Sequence, residues 1–383
     1  MQQFNYPTTI LFGEGALNEC AARVKKLGLK HPLLVTDATL VKVGIAEKVK
    51  KTFASAGVDC AIFDGVHPNP IEEDVEKGAA AYKKEKCDCV VALGGGSPID
   101  TAKVIMLAAT HNEPLATYDA SIGGYEKIQN VIPPLFAIST TAGTGSEVGR
   151  SGVIIMKKTN NKTTFFSPYF MPKLAVLEPE LTRGLPPAVT AATGIDAFTH
   201  CLESYFAPGF HPMADGIAFE GLRVILRALP KAVKDGNNLE ARGEMLIAAS
   251  MGAAAFQKDL GMIHSLAHPL SSECGLHHGL ANALMLPVCV DFLDKSKLND
   301  DQRTRLTRVQ ELFVERKIAK ASLSASCHDF IAGLGIKFGL RNHAVKESQI
   351  DLLSDKAFKD PCHQTNMIPV TREILKRMYQ EAF

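Results

Sequence analysis

The first half of this 383-residue chain alternates short β-prone apolar runs with amphipathic stretches of helical spacing, and that alternation restricts the fold more than any single residue does. The order is HPLLVTD (31–37), IAEKVKKTFASAG (45–57), CAIFDGV (60–66), EDVEKGAAAYKKEK (73–86) and CDCVVALGGGS (87–97). Successive β-α-β units of this kind assemble into a parallel sheet covered by helices. The texture changes near residue 181. Beyond PELTRGLPP (179–187), long helical patterns dominate, as in AVTAATGIDAFTHCLESYF (188–206), ADGIAFEGLRVILRALPKAV (214–233) and DQRTRLTRVQELFVERKIAKA (301–321). A chain of this length exceeds what one hydrophobic core organises. We therefore expect an α/β Rossmann-like domain over 1–181, an all-α domain over 182–383, and a ligand cleft between them.

Gly94, Gly95, Gly96 and Ser97 stand between the apolar run CVVAL and the helical IDTAKVIMLAA. Glycines there let the backbone approach a phosphate, and a helix N-terminus adds unpaired N–H donors with a favourable dipole. Ser97 also has the character of a helix N-cap, with Asp100 three residues on in a capping-box variant; both roles can share one helix start. The pattern is not the GxGxxG dinucleotide fingerprint, whose acidic residue follows the glycines. Here the acidic candidate, Asp37, comes first, at the carboxyl end of a predicted strand where α/β sheets bind ligands; as a plain turn or N-cap aspartate it would be equally at home. A third loop, Ser139 to Glu147, is rich in hydroxyls and glycine and suits a pyrophosphate or the polar edge of a nicotinamide, or simply a surface turn.

The helical half carries a different chemistry. Asp196 and His200 are spaced i, i+4, and so are His264 and His268, which places each pair on one helix face. His278 must arrive from a following turn or helix. A pair of this kind is most often a surface hydrogen bond, but His264 and His268 stand among Gly, Ile, Leu, Ala and Pro, where an imidazole is costly without a strong partner. One carboxylate with several imidazoles suits Fe(II) or Zn(II).

Composition excludes several functions. The net charge of +1 leaves no basic footprint for nucleic acid, and 46% apolar content fits a globular enzyme. Nine cysteines are scattered without CxxC or a paired framework and read as reduced thiols. The N-terminal stretch lacks a secretory pattern and no run is long and apolar enough to span a membrane, so a cytoplasmic location is expected, with no membrane partner.

Together with GIDAFTHCLE (194–203), GMIHSLAHPL (261–270) and HHGLANALMLP (277–287), the segments FGEGAL, LVTD, ALGGGSPIDTAK, STTAGTGSEV, LEPELT and HPMADGIAFEGLRVI occur in an order that resembles the iron-containing (group III) alcohol dehydrogenases across nearly the whole chain. The resemblance implies the dehydroquinate synthase-like fold of that family. It implies hydride transfer between a nicotinamide and a small primary alcohol or aldehyde, with the metal as Lewis acid. Carried over by position, the metal ligands are Asp196, His200, His264 and His278, with His268 a catalytic neighbour that positions substrate or relays a proton. His277 departs from relatives that have Pro there; the following Gly279 and LANA favour His278 as ligand. Four protein ligands exceed the three usual at catalytic zinc, which favours Fe(II), with Zn(II) the alternative.

The same resemblance implies cofactor contacts at Asp37, Asn69, Gly95, Gly96, Ser97, Asp100, Thr140, Thr141, Thr144 and Lys162. Asp37 would meet the adenosine ribose, so NAD(H) is expected over NADP(H). Arg150 reads as structural rather than as an anion-binding residue, and Gly149, Ser151, Phe165 and Cys274 line the substrate pocket by rough analogy only. The strand-like TTILFGEG has the character of an exposed edge and suggests a homodimer or higher homo-oligomer. Competing readings are a dehydroquinate synthase-like lyase, whose basic anion-binding residues are not evident, and a non-catalytic NAD- or metal-binding protein.

Overall fold

In the computed structural model, which describes residues 8–159 and 161–383, the described chain divides into two compact units, one of residues 8–141 and 145–183 and one of 142–144 and 184–383. The first contains β1 (Thr9–Phe12), α1 (Ala16–Lys26), β2 (Pro32–Val35), α2 (Ala38–Lys42), α3 (Ile45–Ser55), β3 (Ala61–Phe63), α4 (Glu72–Lys84), β4 (Cys89–Gly94), α5 (Gly96–Thr110), β5 (Leu135–Ser139), β6 (Ser151–Met156), β7 (Asn161–Phe166) and β8 (Leu174–Leu177). Its main sheet is six-stranded and parallel, in the order β1-β8-β5-β4-β2-β3; β6 and β7 form a separate antiparallel pair.

The central strands have no polar face. Cys89 to Leu93 of β4 and Leu33 to Val35 of β2 are all fully buried, because helices cover both sides of the sheet. One apolar cluster gathers Leu33, Val35, Val90 and Ala92 with α5; the other gathers Leu34, Val91, Leu93 and Phe136 with α1 and α3. Successive residues along each strand thus alternate between two cores. β2 lies between β3 and β4, so the chain reverses its direction of winding there. That reversal is the switch point at which open α/β sheets take ligands, beyond the carboxyl ends of their strands.

The second unit contains α6 (Pro187–Phe206), α7 (Pro212–Lys234), α8 (Leu239–Ala255), α9 (Met262–Cys274), α10 (His278–Lys295), α11 (Asp300–Glu315), α12 (Leu323–Gly333), α13 (Ile350–Lys359) and α14 (Arg372–Glu381). It holds one large apolar cluster built on α6, α7, α8, α9 and α10. Every residue of α6 from Thr190 to Phe206 is buried. A polar side chain on such a helix must find its partners inside the protein. No described helix is long and apolar enough to cross a membrane.

Candidate active site

The carboxyl ends of β2, β4 and β5 lie side by side, since Val35 pairs with Ala92, Gly94 with Ser139, and the Thr140 amide donates to the Gly94 carbonyl at 3.0 Å. Most of the predicted cofactor residues sit on the loops leaving these three ends. Asp37 follows β2 and caps α2, its Oδ1 accepting from the Thr39 and Leu40 amides at 2.8 and 3.0 Å. Gly95 and Gly96 follow β4, and Thr140 and Thr141 follow β5. A Cβ on Gly95 would come 2.7 Å from Thr141 Oγ1, so only glycine lets these two loops close up.

Ser97 does not cap α5. The helix begins at Gly96, with Gly95 as the cap residue and no side-chain cap bond, so Ser97 lies in its first turn. Its hydroxyl donates instead to the Pro68 carbonyl at 2.6 Å, which ties the loop carrying Asn69 to the start of α5. Asp100 is not part of a capping box either. Its carboxylate accepts from Ser146 Oγ at 2.5 Å and from the Val153 amide at 3.1 Å. Lys162, on β7, faces Asp100 closely enough for its charge to act on that carboxyl. Thr144 belongs with the helical unit, where the neighbouring Gly143 packs against Thr193.

Local sequence does not single out Lys103, one helical turn beyond Asp100 and fully buried. Its ammonium donates to the Ser146 carbonyl at 2.8 Å, to Ser146 Oγ at 2.7 Å and to the Ser151 carbonyl at 2.8 Å. Burial pushes it down from an ordinary 10.5 to about 8, against the attraction of Asp100 and Glu147. Arg150 has its guanidinium 5.2 Å over the Phe166 ring. Phe165 does not line an open pocket: it is fully buried in the apolar cluster of the sheet unit.

In the helical unit, Asp196 and His200 share one face of α6, and His264 and His268 one face of α9. Gly275, in the left-handed conformation with φ 69°, stops α9, and α10 begins at His278. Gly279 allows α10 to press onto α6, because a Cβ there would collide with the Ala192 carbonyl oxygen. The result is convergence on a single atom. Nε2 of His278, His264 and His200 lies 3.4, 3.8 and 4.0 Å from Asp196 Oδ1. Such separations are at or beyond the outer limit of hydrogen bonding, yet they are those of ligand atoms that share one cation with bonds of roughly 2.0 to 2.2 Å. His277, the exposed cap residue of α10, stands outside this convergence.

The surroundings hold these atoms in place. Glu203, one turn beyond His200, takes the His264 Nδ1 at 2.6 Å with one oxygen and the Ile263 amide at 2.6 Å with the other. That leaves His264 Nε2 as the atom turned toward Asp196, the carboxylate–histidine arrangement that orients metal-binding imidazoles. Asn282 donates to Asp196 Oδ1 at 2.7 Å and sits 3.3 Å from Nε2 of both His264 and His278; its buried Oδ1 has no hydrogen-bond partner among the described residues. Although burial opposes ionisation of Asp196, the charges of His200 and His278 and the His264 contact hold it well below the usual carboxylate range. Burial pushes His200 down to about 4, so it is a neutral imidazole with a lone pair to give. His264 moves the other way, to about 9: burial opposes its charge, but Asp196 and Glu203 outweigh burial, so a metal bound here would displace the Nε2 proton. An anionic carboxylate among imidazoles, deeply buried, is a donor set that fits a divalent metal.

His268 is set apart from the other three. Its Nδ1 lies 2.7 Å from Asp360 Oδ2, its ring stacks on His278 at 5.2 Å between centroids, and its side chain is 31% exposed where His264 is 1%. Glu203 was within sequence reach, sitting inside the conspicuous THCLE segment. Asp360 was not, being 92 residues from its partner.

Residues 7–179 match the iron-containing alcohol dehydrogenase family, and residues 190–383 match the C-terminal part described for the same family. The 4-hydroxybutyrate dehydrogenase of Cupriavidus necator is 41% identical over 98% of this chain and 98% of its own length. A crystal structure of a 1,3-propanediol oxidoreductase superposes with a TM-score of 0.91 at 35% identity, covering all of both chains. The sulfoacetaldehyde reductase of Bifidobacterium kashiwanohense, solved with NAD+, has a TM-score of 0.88 at 29% identity, with 100% of this chain and 98% of that one covered. Matched in both halves and similar to these relatives over nearly its full length, the chain belongs to the iron-containing alcohol dehydrogenase family, a family of iron-dependent, NAD-linked oxidoreductases.

Proposed function

We propose that this protein interconverts a short primary alcohol and its aldehyde, using Fe(II) held by Asp196, His200, His264 and His278 and NAD(H) held at the ends of β2, β4 and β5. The observation that carries this reading is the convergence of three imidazole nitrogens, those of buried His200 and His264 and of partly buried His278, on Asp196 Oδ1. When bound, Fe(II) would supply Lewis acidity toward the alcohol or carbonyl oxygen, with Zn(II) the alternative metal. The chain's own residues do the rest. Asp196 contributes the negative charge, Glu203 keeps the His264 lone pair on Nε2, and Asn282 fixes the Asp196 oxygen. His268, the most exposed of these rings, is the group that handles the substrate hydroxyl proton.

On the sheet unit, the α5 N-terminus and Gly95–Gly96 take the pyrophosphate. Thr140, Thr141, Thr144, Asn69 and Lys162 complete the contacts to the cofactor. Ser97 and Asp100 act by shaping this loop, through Pro68 and Ser146. Asp37 accepts the ribose hydroxyls and repels a 2′-phosphate, which favours NAD(H) over NADP(H). The relatives named for 4-hydroxybutyrate and 1,3-propanediol both act at a terminal hydroxyl on a short chain that ends in a second polar group. We extend that substrate class to this protein. β1 is an edge strand with Phe12 exposed, which supports assembly of a homo-oligomer; the nine free cysteines support a reducing, cytoplasmic setting.

The test is to mix Fe(II)-loaded protein with NADH and short aldehydes that are neutral, carboxylated or sulfonated, and to follow NADH absorbance. Net consumption with at least one aldehyde is expected, and slower consumption of NADPH. A protein that binds NADH and Fe(II) but consumes none with any of them is a lyase or a binding protein.

A further inference from the structure

Helix α9 presents two histidines one turn apart, and each has its Nδ1 anchored on a carboxylate brought from elsewhere. For His264 that carboxylate is Glu203. For His268 it is Asp360, immediately after α13. Asp360 is itself held from two sides. Its Oδ1 accepts from Ser265 Oγ at 2.8 Å and from the Cys362 amide at 2.9 Å, which leaves Oδ2 for His268 at 2.7 Å. Ser265 belongs to the same turn of α9 and its hydroxyl oxygen accepts from the His363 amide at 2.8 Å, so the whole 360–363 segment is pinned beneath His268. Burial opposes ionisation of Asp360, yet the His268 charge and these hydrogen bonds keep it well below the usual carboxylate range.

A carboxylate can only accept, so His268 must present Nδ1–H to Asp360, and in the neutral ring the lone pair lies on Nε2. We propose that Asp360 is the positioning residue of the reaction: it fixes His268 in the Nδ1–H tautomer and so makes Nε2 the atom that exchanges the substrate proton. The proposal rests on the function given above for His268. In the oxidising direction the alcohol carbon gives hydride to NAD+, the hydroxyl proton passes to His268 Nε2, and the products are aldehyde, NADH and an imidazolium. Asp360 stays ionised throughout and stabilises that imidazolium. Neither Asp360 nor Ser265 belongs to the converging set around Asp196.

The discriminating variant is Asp360→Asn. Its amide keeps an oxygen for Ser265 and Cys362 but turns an N–H₂ donor toward His268, which forces the Nε2–H tautomer in a side chain of the same size. Metal-free protein labelled with [15N]histidine, at alkaline pH where imidazole is neutral, reports which ring nitrogen is protonated; the His268 signals are identified by their loss in His268→Gln. We expect Nδ1–H in the wild type and Nε2–H in Asp360→Asn. In the iron-loaded enzyme, kcat of Asp360→Asn should fall about 10²- to 10⁴-fold, with KM for NADH and iron content unchanged. Ser265→Ala, which keeps the His268–Asp360 contact, should lose less than about tenfold.

An Nε2–H wild type, an unaltered tautomer in Asp360→Asn, or a kcat within a factor of two of wild type would overturn the proposal. Should Asp360→Asn fail to fold, the wild-type spectrum still decides it. Should the wild type reduce no aldehyde, the functional reading falls, and the two spectra still settle whether Asp360 sets the tautomer.

Discussion

The two halves of this enzyme build their sites from different materials. In the sheet unit the site is largely backbone: loop amides, glycines that admit close approach, and short hydroxyl side chains gathered where β2, β4 and β5 end. In the helical unit it is made of clustered ionisable side chains, with carboxylate or amide support behind His264, His268 and Asp196. Backbone sites degrade gradually when one side chain is changed, because many amides share the ligand. A buried constellation of charges fails abruptly, because removing one member leaves the others uncompensated.

The sharpest way to break this contrast is His264→Ala. We expect the protein to lose its iron and its turnover together, measured by metal analysis and NADH consumption on the same sample. An active iron-free variant would show that the converging imidazoles are not the centre.

Lys103 runs against this contrast, a fully buried ammonium in the sheet unit. Its folded value of about 8 lies below the ordinary 10.5, so between pH 8 and 10.5 the unfolded chain binds more protons and stability rises with pH. The penalty is fully present below pH 8 and gone above 10.5, amounting to about 3 kcal/mol. Denaturant unfolding across that window should show this rise in the wild type and not in Lys103→Met. Parallel curves would mean that the three acceptors around the ammonium already compensate its burial.

A support residue should matter less than a ligand. Glu203→Gln keeps the shape but loses the charge behind His264, and iron affinity should drop about 10- to 100-fold in a chelator competition. An unchanged affinity would make Glu203 a packing residue only. The smallest effect belongs to the backbone-built site. Asp37→Gly should cut the preference for NADH over NADPH by about tenfold, an energy of about 1.4 kcal/mol, while leaving iron content intact. If that variant also lost iron, the two halves would not be separable in this way.

Much of this is legible in the sequence alone. The β-α alternation from His31 to Ser97 specifies the parallel sheet because a strand buried on both faces must be apolar throughout and a parallel return needs a helix. The i, i+4 spacing of Asp196 with His200 and of His264 with His268 is a consequence of helical pitch, and the chain shows it directly. Local geometry was harder to anticipate. Ser97 looked like a cap, but the helix starts at Gly96 because Gly95 can take the cap position while closing against Thr141.

What the sequence by itself determined is the class of each half and the residue types that meet at its chemistry, since strand and helix periods and short motifs are local properties. Only the tertiary structure decided what surrounds each histidine. His264 and His268 have the same spacing, the same helix and the same kind of carboxylate behind Nδ1. They differ because α6 and α10 close over His264 and leave His268 partly open, beside Asp360 from far along the chain. Partners joined across 61 and 92 residues leave no periodic trace in sequence, because their meeting depends on how whole helices pack.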